Sequence, residues 1–247
     1  KKMKKFLDHI LLLFGFEKKF FDKENLKNTF VGHPLLDYME KDINVEINDF
    51  VEKKNIVSLF PGSRDSEIKI LFPVLINFIK KMNLKDNSYH YIFHSTQKFK
   101  EMIKSKLLAE KLSNVEVVID DKIKSQVLKK SIFAIAKSGT VSLDVCKNNI
   151  PSMIIYKMNF FNYHLAKFLL KIKYVNMINI INNKEIIPEL LQNECNPNEI
   201  YKTFYYFMKK PNLIKEQMSV VKNTIDDLKS STSASDQASK VILSYLT

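Results

Sequence analysis

Two hydrophobic periods alternate along this chain, and their order is what most constrains its fold. Residues 28–32, 55–60, 89–94, 115–119, 132–136 and 152–156 form short runs rich in Val, Ile, Phe and Tyr that close on turn residues. Each reads as a buried strand. Amphipathic stretches lie between them, the clearest over 65–82, where Ile68, Leu71, Phe72, Leu75, Ile76 and Ile79 share one helical stripe. Pro73 inside that stretch predicts a kink or a late start. Strand and helix in repeated succession imply βα units, hence an α/β fold: a Rossmann-like parallel sheet with helices on both faces. From residue 185 the period is helical throughout, with helices expected over 185–192, 198–209, 213–229 and 234–246. The last follows a Ser-rich hinge at 230–233 and completes an all-helical C-terminal tail.

The bulk properties fit a globular protein: 247 residues, 45% hydrophobic and 27% charged, enough for one large domain or two small ones. Two cysteines, Cys146 and Cys195, stand far apart in helix-like contexts, which argues against a disulfide framework or a Cys-based metal site and fits a reducing cytoplasm. No cluster of metal-ligand residues occurs, so neither a metal nor a cofactor is expected. The net charge of +12 implies an anionic partner: nucleic acid, a phosphorylated substrate or an anionic membrane surface. The apolar run 10–16 is far short of the roughly 18 residues that span a bilayer. Asp8, His9 and Glu17-Lys18-Lys19 break the pattern of a cleavable signal. His90 and His94 fall on a strand and His9 and His164 on helices, where structural roles are expected.

Glycine and arginine are scarce, with four glycines in all and a single arginine, Arg64, among 39 basic residues. Three of the glycines and that arginine fall in Val31-Gly32-His33-Pro34, Pro61-Gly62-Ser63-Arg64 and Ser138-Gly139-Thr140. The last two clusters each sit after a strand and before a helix. A Gly turn leading into a helix presents free N–H groups and the positive dipole end to an anion, and Arg64 and Lys137 add full charges. The same residues would also serve as tight turns with Ser63 and Thr140 as N-caps. Neither cluster is a Walker loop or a dinucleotide fingerprint, so phosphate binding here points toward nucleotide-sugar transferases.

Five motifs taken in order carry a closer resemblance: Phe16-Glu17-Lys18-Lys19-Phe20-Phe21, Phe30-Val31-Gly32-His33-Pro34-Leu35-Leu36-Asp37, the stretch from Leu59 through Pro61-Gly62-Ser63-Arg64-Asp65-Ser66-Glu67 to Ile68, Ser138-Gly139-Thr140-Val141-Ser142-Leu143-Asp144, and Asn179-Ile180-Ile181 with Pro188-Glu189-Leu190-Leu191-Gln192. Together they resemble the lipid-A-disaccharide synthase family, glycosyltransferases of the two-domain GT-B type. That resemblance implies transfer of 2,3-diacylglucosamine from its UDP donor to 2,3-diacylglucosamine 1-phosphate, forming the β-1,6 disaccharide and UDP with inversion and without metal. It implies that Gly62, Ser63, Arg64 and Glu67 face the donor diphosphate, with Ser138, Gly139 and Thr140 on the phosphates from the next turn. Glu189 matches a carboxylate that holds ribose hydroxyls in related transferases, with Asn179 and Gln192 as secondary candidates. His33, at the expected domain junction, is the one histidine with a motif reason to line the cleft. Gly15, Asp144 and Asn183 depart from the family pattern, and Asn183 suits a left-handed turn nearly as well as the usual glycine.

The resemblance also implies an organisation. Residues 1–34 are expected to be a remnant of an N-terminal domain and its junction, 35–229 the UDP-sugar-binding domain, and 230–247 a helix packing back toward the N-terminal domain. The resemblance assigns the acceptor site and the catalytic acidic residue to a preceding domain, so the chain is expected to be the donor-binding half and inactive alone. The expected site of action is cytoplasmic, peripheral on the inner face of the inner membrane. Residues 156–175, where Tyr and Phe interleave with Lys157, Lys167, Lys171 and Lys173, read as an amphipathic helix for an anionic membrane surface or as a core helix with solvated lysines. The alternatives are another UDP-sugar transferase or epimerase of similar fold, or a non-enzymatic basic module. Its scattered lysines and the lack of a base-reading motif argue against nucleic acid.

Overall fold

A computed structural model of the chain describes residues 2–37, 54–158, 173–229 and 232–246. Its contacts divide it into two compact units, Lys1–Asp42 with Lys222–Thr247, and Ile43–Val221.

The first unit holds a two-stranded parallel sheet of β1 (His9–Leu12) and β2 (Lys27–Phe30), with α1 (Lys18–Asp22) between them. His9, expected on a helix, lies instead on β1. Its Nε2 sits 2.9 Å from Thr29 Oγ1 across the strand pair and its Nδ1 2.8 Å from the Tyr245 hydroxyl. Four residues of 9–12 are too few for periodicity to separate strand from helix, and pairing with β2 decided it. The short α2 (Pro34–Asp37) places the Asp37 carboxylate to accept from the Ala234 N–H at the start of α10 (Ala234–Leu243).

The second unit is built on β3 (Ile56–Phe60), α3 (Asp65–Asn83), β4 (His90–His94), α4 (Lys100–Ala109), β5 (Val115–Val118), α5 (Asp121–Lys130), β6 (Ser131–Lys137), α6 (Thr140–Lys147), β7 (Ser152–Tyr156), α7 (Met177–Asn182), β8 (Glu189–Leu191) and α8 (Pro197–Lys209). The helix α9 (Pro211–Asp227) carries the boundary between the units. All strand pairs are parallel, in the order β5-β4-β3-β6-β7-β8. This is the Rossmann order, which reverses direction between β3 and β6. All five residues of β3 are buried, as expected of a central parallel strand covered on both faces. On one face Val57, Leu59, Phe93 and Ile135 pack under Leu71, Leu75, Phe78 and Ile79 of α3, with Phe204 of α8. On the other, Ile56, Ile92 and Val118 meet Val127 of α5.

Two expectations need correction here. Residues 185–192 are not a helix, because Glu189–Leu191 forms β8, with Ile154 paired to Glu189 and Tyr156 to Leu191. Pro188 disfavours helical backbone before it, and the open edge of β7 offers ladder bonds, the first from the Ile154 N–H to the Pro188 carbonyl at 2.8 Å. Cys195 lies in the turn before α8 rather than on a helix, and burial raises its thiol to about 11 and that of Cys146 to about 12. Asn183 does take the left-handed conformation, at φ 46°. α3 runs unbroken from Asp65 through Pro73, so its start is not late.

Phe204 is fully buried, its ring edge-on to Phe78, Tyr89 and Phe133 at centroid distances of 5.8, 5.3 and 5.3 Å. Phe204→Ala is expected to lower the unfolding free energy by about 3–5 kcal/mol, measured from the urea midpoint. A loss below about 1 kcal/mol would show that this cluster does not hold α8 to the sheet.

Candidate functional site

At the reversal point of a doubly wound sheet the chain leaves neighbouring strands toward opposite faces, which opens a crevice at their carboxyl ends. A cavity of about 350 Å³ lies there, walled by the ends of β3, β4, β5 and β6 and the turns that follow them. Gly62, Ser63, Arg64, Glu67, Ser138, Gly139 and Thr140 all line it, so the two glycine turns singled out in the sequence converge on one space.

The first turn is organised by an internal anion. Gly62 has φ of 104°, and a Cβ there would lie 2.4 Å from Glu67 Oε2. Only glycine lets the Glu67 carboxylate fold back over the turn. Glu67 Oε2 then accepts from the backbone N–H of Ser63 at 3.0 Å and of Arg64 at 3.3 Å. The residue capping α3 is Arg64 rather than Ser63, and the side chain that satisfies the orphan N–H groups is Glu67. Burial acts to raise the Glu67 carboxyl, but the Ser63 N–H and the Lys137 ammonium outweigh it and hold the group below the usual carboxylate range. Lys137 Nζ stands 3.1 Å from Glu67 Oε1, while Arg64 Nη1 is 3.6 Å away on a side chain that is 79% exposed. The N–H dipoles of this turn are therefore spent, while its guanidinium stands exposed with only the loose Glu67 contact.

The second turn is the complement. Gly139 precedes α6 at φ 151° with no side chain capping the helix, and Lys137 Nζ lies 3.8 Å from where a Gly139 Cβ would stand. An uncapped helix N-terminus beside an ammonium is a receptive place for an anion. Ser138 turns its hydroxyl away to donate to the Val175 carbonyl at 2.8 Å. Thr140 is exposed at the start of α6.

The other expected site residues do not line the cavity. Glu189 is buried and accepts from the N–H groups of Val175 and Asn176 and from Asn179 Nδ2, each at 2.8 Å. Asn179 spends its remaining capacity on the Ile187 carbonyl and the N–H groups of Ile186 and Ile187. The two side chains tie α7 to β8. Gln192 sits at φ 50°, and its side-chain amide donates to the Met158 carbonyl at 3.2 Å and accepts from the Met158 N–H at 3.3 Å. His33 belongs to the first unit, its ring 5.3 Å from that of Phe14 and its Nδ1 accepting from the Leu35 N–H. Most of the segment read as amphipathic, 159–172, lies outside the described residues.

The cavity also has walls that sequence reasoning passed over: His94, Ser95 and Thr96 after β4, and Val118, Ile119, Asp121 and Lys124 around the start of α5. Lys124 Nζ pairs with Asp144 at 3.3 Å, which gives that departure from the family pattern a partner. His94 is 5% exposed and stacks on Phe60 at 4.3 Å between centroids. Burial foremost, then the Lys124 charge, push its pKa down to about 3. The available signal was position alone, a polar residue at the carboxyl end of a buried strand.

A family model described as lipid-A-disaccharide synthetase matches residues 1–242. Among curated relatives, the lipid-A-disaccharide synthase of Persephonella marina is 29% identical over 239 residues, covering 92% of this chain and 62% of its own length. That of Wigglesworthia glossinidia brevipalpis is 34% identical over 211 residues, covering 81% and 53%. The chain thus spans less than two thirds of the length of these relatives. Of solved structures, the S. aureus MnaA–UDP co-structure superposes with a TM-score of 0.62 at 14% identity, over 97% of this chain and 60% of the other. At that identity the likeness is one of fold.

The buried neutral His94 has a consequence for stability. Its folded pKa lies below the unfolded value of 6.5, so the unfolded chain binds the extra proton and stability falls as pH drops from about 6.5 toward 3. Between pH 6 and 5, above most carboxylate titration, His94→Asn is expected to flatten the pH slope of the unfolding free energy by about 1 kcal/mol per unit. Equal slopes in both proteins, from urea melts, would mean that His94 is not held neutral.

Proposed function

The chain belongs to the lipid-A-disaccharide synthetase family, and on that premise we propose that it is the donor-binding half of a glycosyltransferase. The reaction is transfer of 2,3-diacylglucosamine from its UDP donor onto 2,3-diacylglucosamine 1-phosphate, giving the β-1,6 disaccharide 1-phosphate and UDP with inversion. The observation that carries this reading is the convergence of an uncapped helix N-terminus at Gly139–Thr140, the Lys137 ammonium and the exposed Arg64 guanidinium on one cavity at the sheet's reversal point.

As the sugar departs, the UDP gains negative charge on its terminal phosphate, and fixed dipoles and cations already aimed there stabilise it without reorganising. The N-terminus of α6 offers N–H donors, Lys137 a charge beside them, and Arg64 an exposed fork able to grip a phosphate in bidentate fashion. Leaving-group stabilisation of this kind calls on no metal. Glu67 keeps Lys137 oriented and the first turn closed, a positioning role. Glu189 and Asn179 support the site by bracing α7 and β8 rather than by touching ligand.

UDP titration by calorimetry tests the reading. Arg64→Ala and Lys137→Ala are each expected to weaken UDP binding roughly tenfold to a hundredfold, the range for losing a charge-assisted hydrogen bond. Absence of UDP binding by the wild type, or tight binding of nucleic acid instead, would overturn it. The 247 residues by themselves are expected to bind donor without making disaccharide, and turnover by the isolated chain would refute the half-enzyme assignment.

The acylated substrates place the reaction at an anionic membrane surface, peripheral on the inner face of the inner membrane. Among the described residues no helix is long and apolar enough to cross a membrane. Lys157, Lys167, Lys171 and Lys173, among the aromatics of 156–175, are the proposed contact. Replacing all four with Gln is expected to reduce binding to phosphatidylglycerol liposomes at least about tenfold, since each lysine at such a surface is worth roughly 1 kcal/mol. Unchanged co-sedimentation would sink that contact.

A further inference from the structure

The cavity wall that the phosphate reading leaves unused is the end of β4. Of the residues that line it there, His94 and Ser95 each carry a buried polar atom with no hydrogen-bond partner, His94 Nδ1 and Ser95 Oγ. An unsatisfied buried polar group is costly, and one at a cavity wall invites a ligand atom.

The hydrogen-bond chain behind His94 decides what kind of atom. Ser131 Oγ donates its only proton to the Val127 carbonyl at 2.8 Å. Its contact with Ser58 Oγ at 2.7 Å is therefore donated by Ser58. With that proton spent, Ser58 Oγ can only accept from His94 Nε2 at 2.9 Å. A neutral imidazole carries one N–H, so Nε2 holds it and Nδ1 is left as a bare lone pair. Phe60 stacks on the ring and restrains it in that orientation. A bare acceptor repels phosphate oxygens, which are acceptors themselves. What it can take is a donor, and of the parts of a nucleotide diphosphate only the nucleoside carries one.

Resting on the proposed function, we propose that His94, with Ser95 beside it, forms a nucleoside-contact edge of the cavity, in which His94 Nδ1 accepts a hydrogen bond from a neutral N–H or O–H of the bound nucleotide. Two groups of UDP offer such a donor: the imide N–H of the base and the ribose hydroxyls. The Ser95 hydroxyl can donate to an adjacent carbonyl or hydroxyl oxygen. This divides the cavity between the anionic and neutral parts of one ligand. The turns after β3 and β6 take the charge, and the end of β4 reads the nucleoside.

Calorimetric titration of the 247-residue chain with UDP, N3-methyl-UDP, 2′-deoxy-UDP and 3′-deoxy-UDP tests the edge in the wild type and in His94→Phe, which keeps a ring on Phe60 but removes the acceptor. The variant is expected to bind UDP about tenfold more weakly, as for one lost hydrogen bond. One analogue should weaken by a similar factor in the wild type and lose nothing further in the variant, and its identity tells base from sugar. UDP affinity equal to wild type in a folded His94→Phe overturns the proposal and leaves the proposed function standing. So do analogue losses that merely add to the loss in the variant. Should His94→Phe fail to fold, indifference of the wild type to all three analogues overturns it without a variant. No UDP binding by the wild type removes the proposed function itself, and this edge with it.

Discussion

The reversal of strand order between β3 and β6 is the constraint on which the site depends. Both strands are central and buried, their neighbours lie on opposite sides, and the helices after them pack on opposite faces. No backbone can close over the gap between their carboxyl ends. Whatever residues follow those two strands face each other across a crevice, and here they are the turns at Gly62 and Gly139. The same constraint draws in β4, beside β3, and β5 beyond it, whose ends complete the wall.

Within that frame the two turns are unlike. At the first, glycine is required because Glu67 folds back against the backbone and supplies the anion that the helix N-terminus wants. At the second, nothing caps the helix, and Lys137 links the two by pairing with Glu67 while standing beside Gly139. The result is one turn whose dipole is already neutralised and one whose dipole is open, with the exposed Arg64 side chain at the rim of the cleft. An incoming anion meets positive charge from α6, Lys137 and Arg64, whereas at α3 it would have to displace a carboxylate. His94 adds a third character, a neutral acceptor held in one tautomer by Ser58 and Ser131.

Much of the architecture was legible from pattern alone. Five of the six strand-like runs are strands of the main sheet, because buried parallel strands are short, apolar and punctuated by turns. The sixth became β2 of the first unit, since periodicity says that a strand forms and nothing about its partner. β8 was read as helix because a three-residue strand beside Pro188 carries too few residues to show a period of two. Glu189 and Asn179 were noticed for their chemistry, and the structure shows that chemistry turned inward, on each other and on the N–H groups of Val175, Asn176, Ile186 and Ile187. His94 was set aside as structural because a histidine on a buried strand has no sequence mark that tells a satisfied ring from one with a free nitrogen.

The sequence by itself determined the α/β class, the two glycine turns between strand and helix and the family resemblance, since these rest on local periods, on glycine's access to positive φ and on motifs contiguous along the chain. Tertiary structure alone decided which polar atoms remain unspent. Glu67 and Glu189 are both carboxylates saturated by donors, yet one stands at the cavity and the other is buried away from it, bracing α7 against β8. Hydrogen-bond satisfaction is a sum over neighbours brought from distant parts of the chain, as Ser58, His94 and Ser131 are. That sum has a value only once the strands carrying them lie side by side.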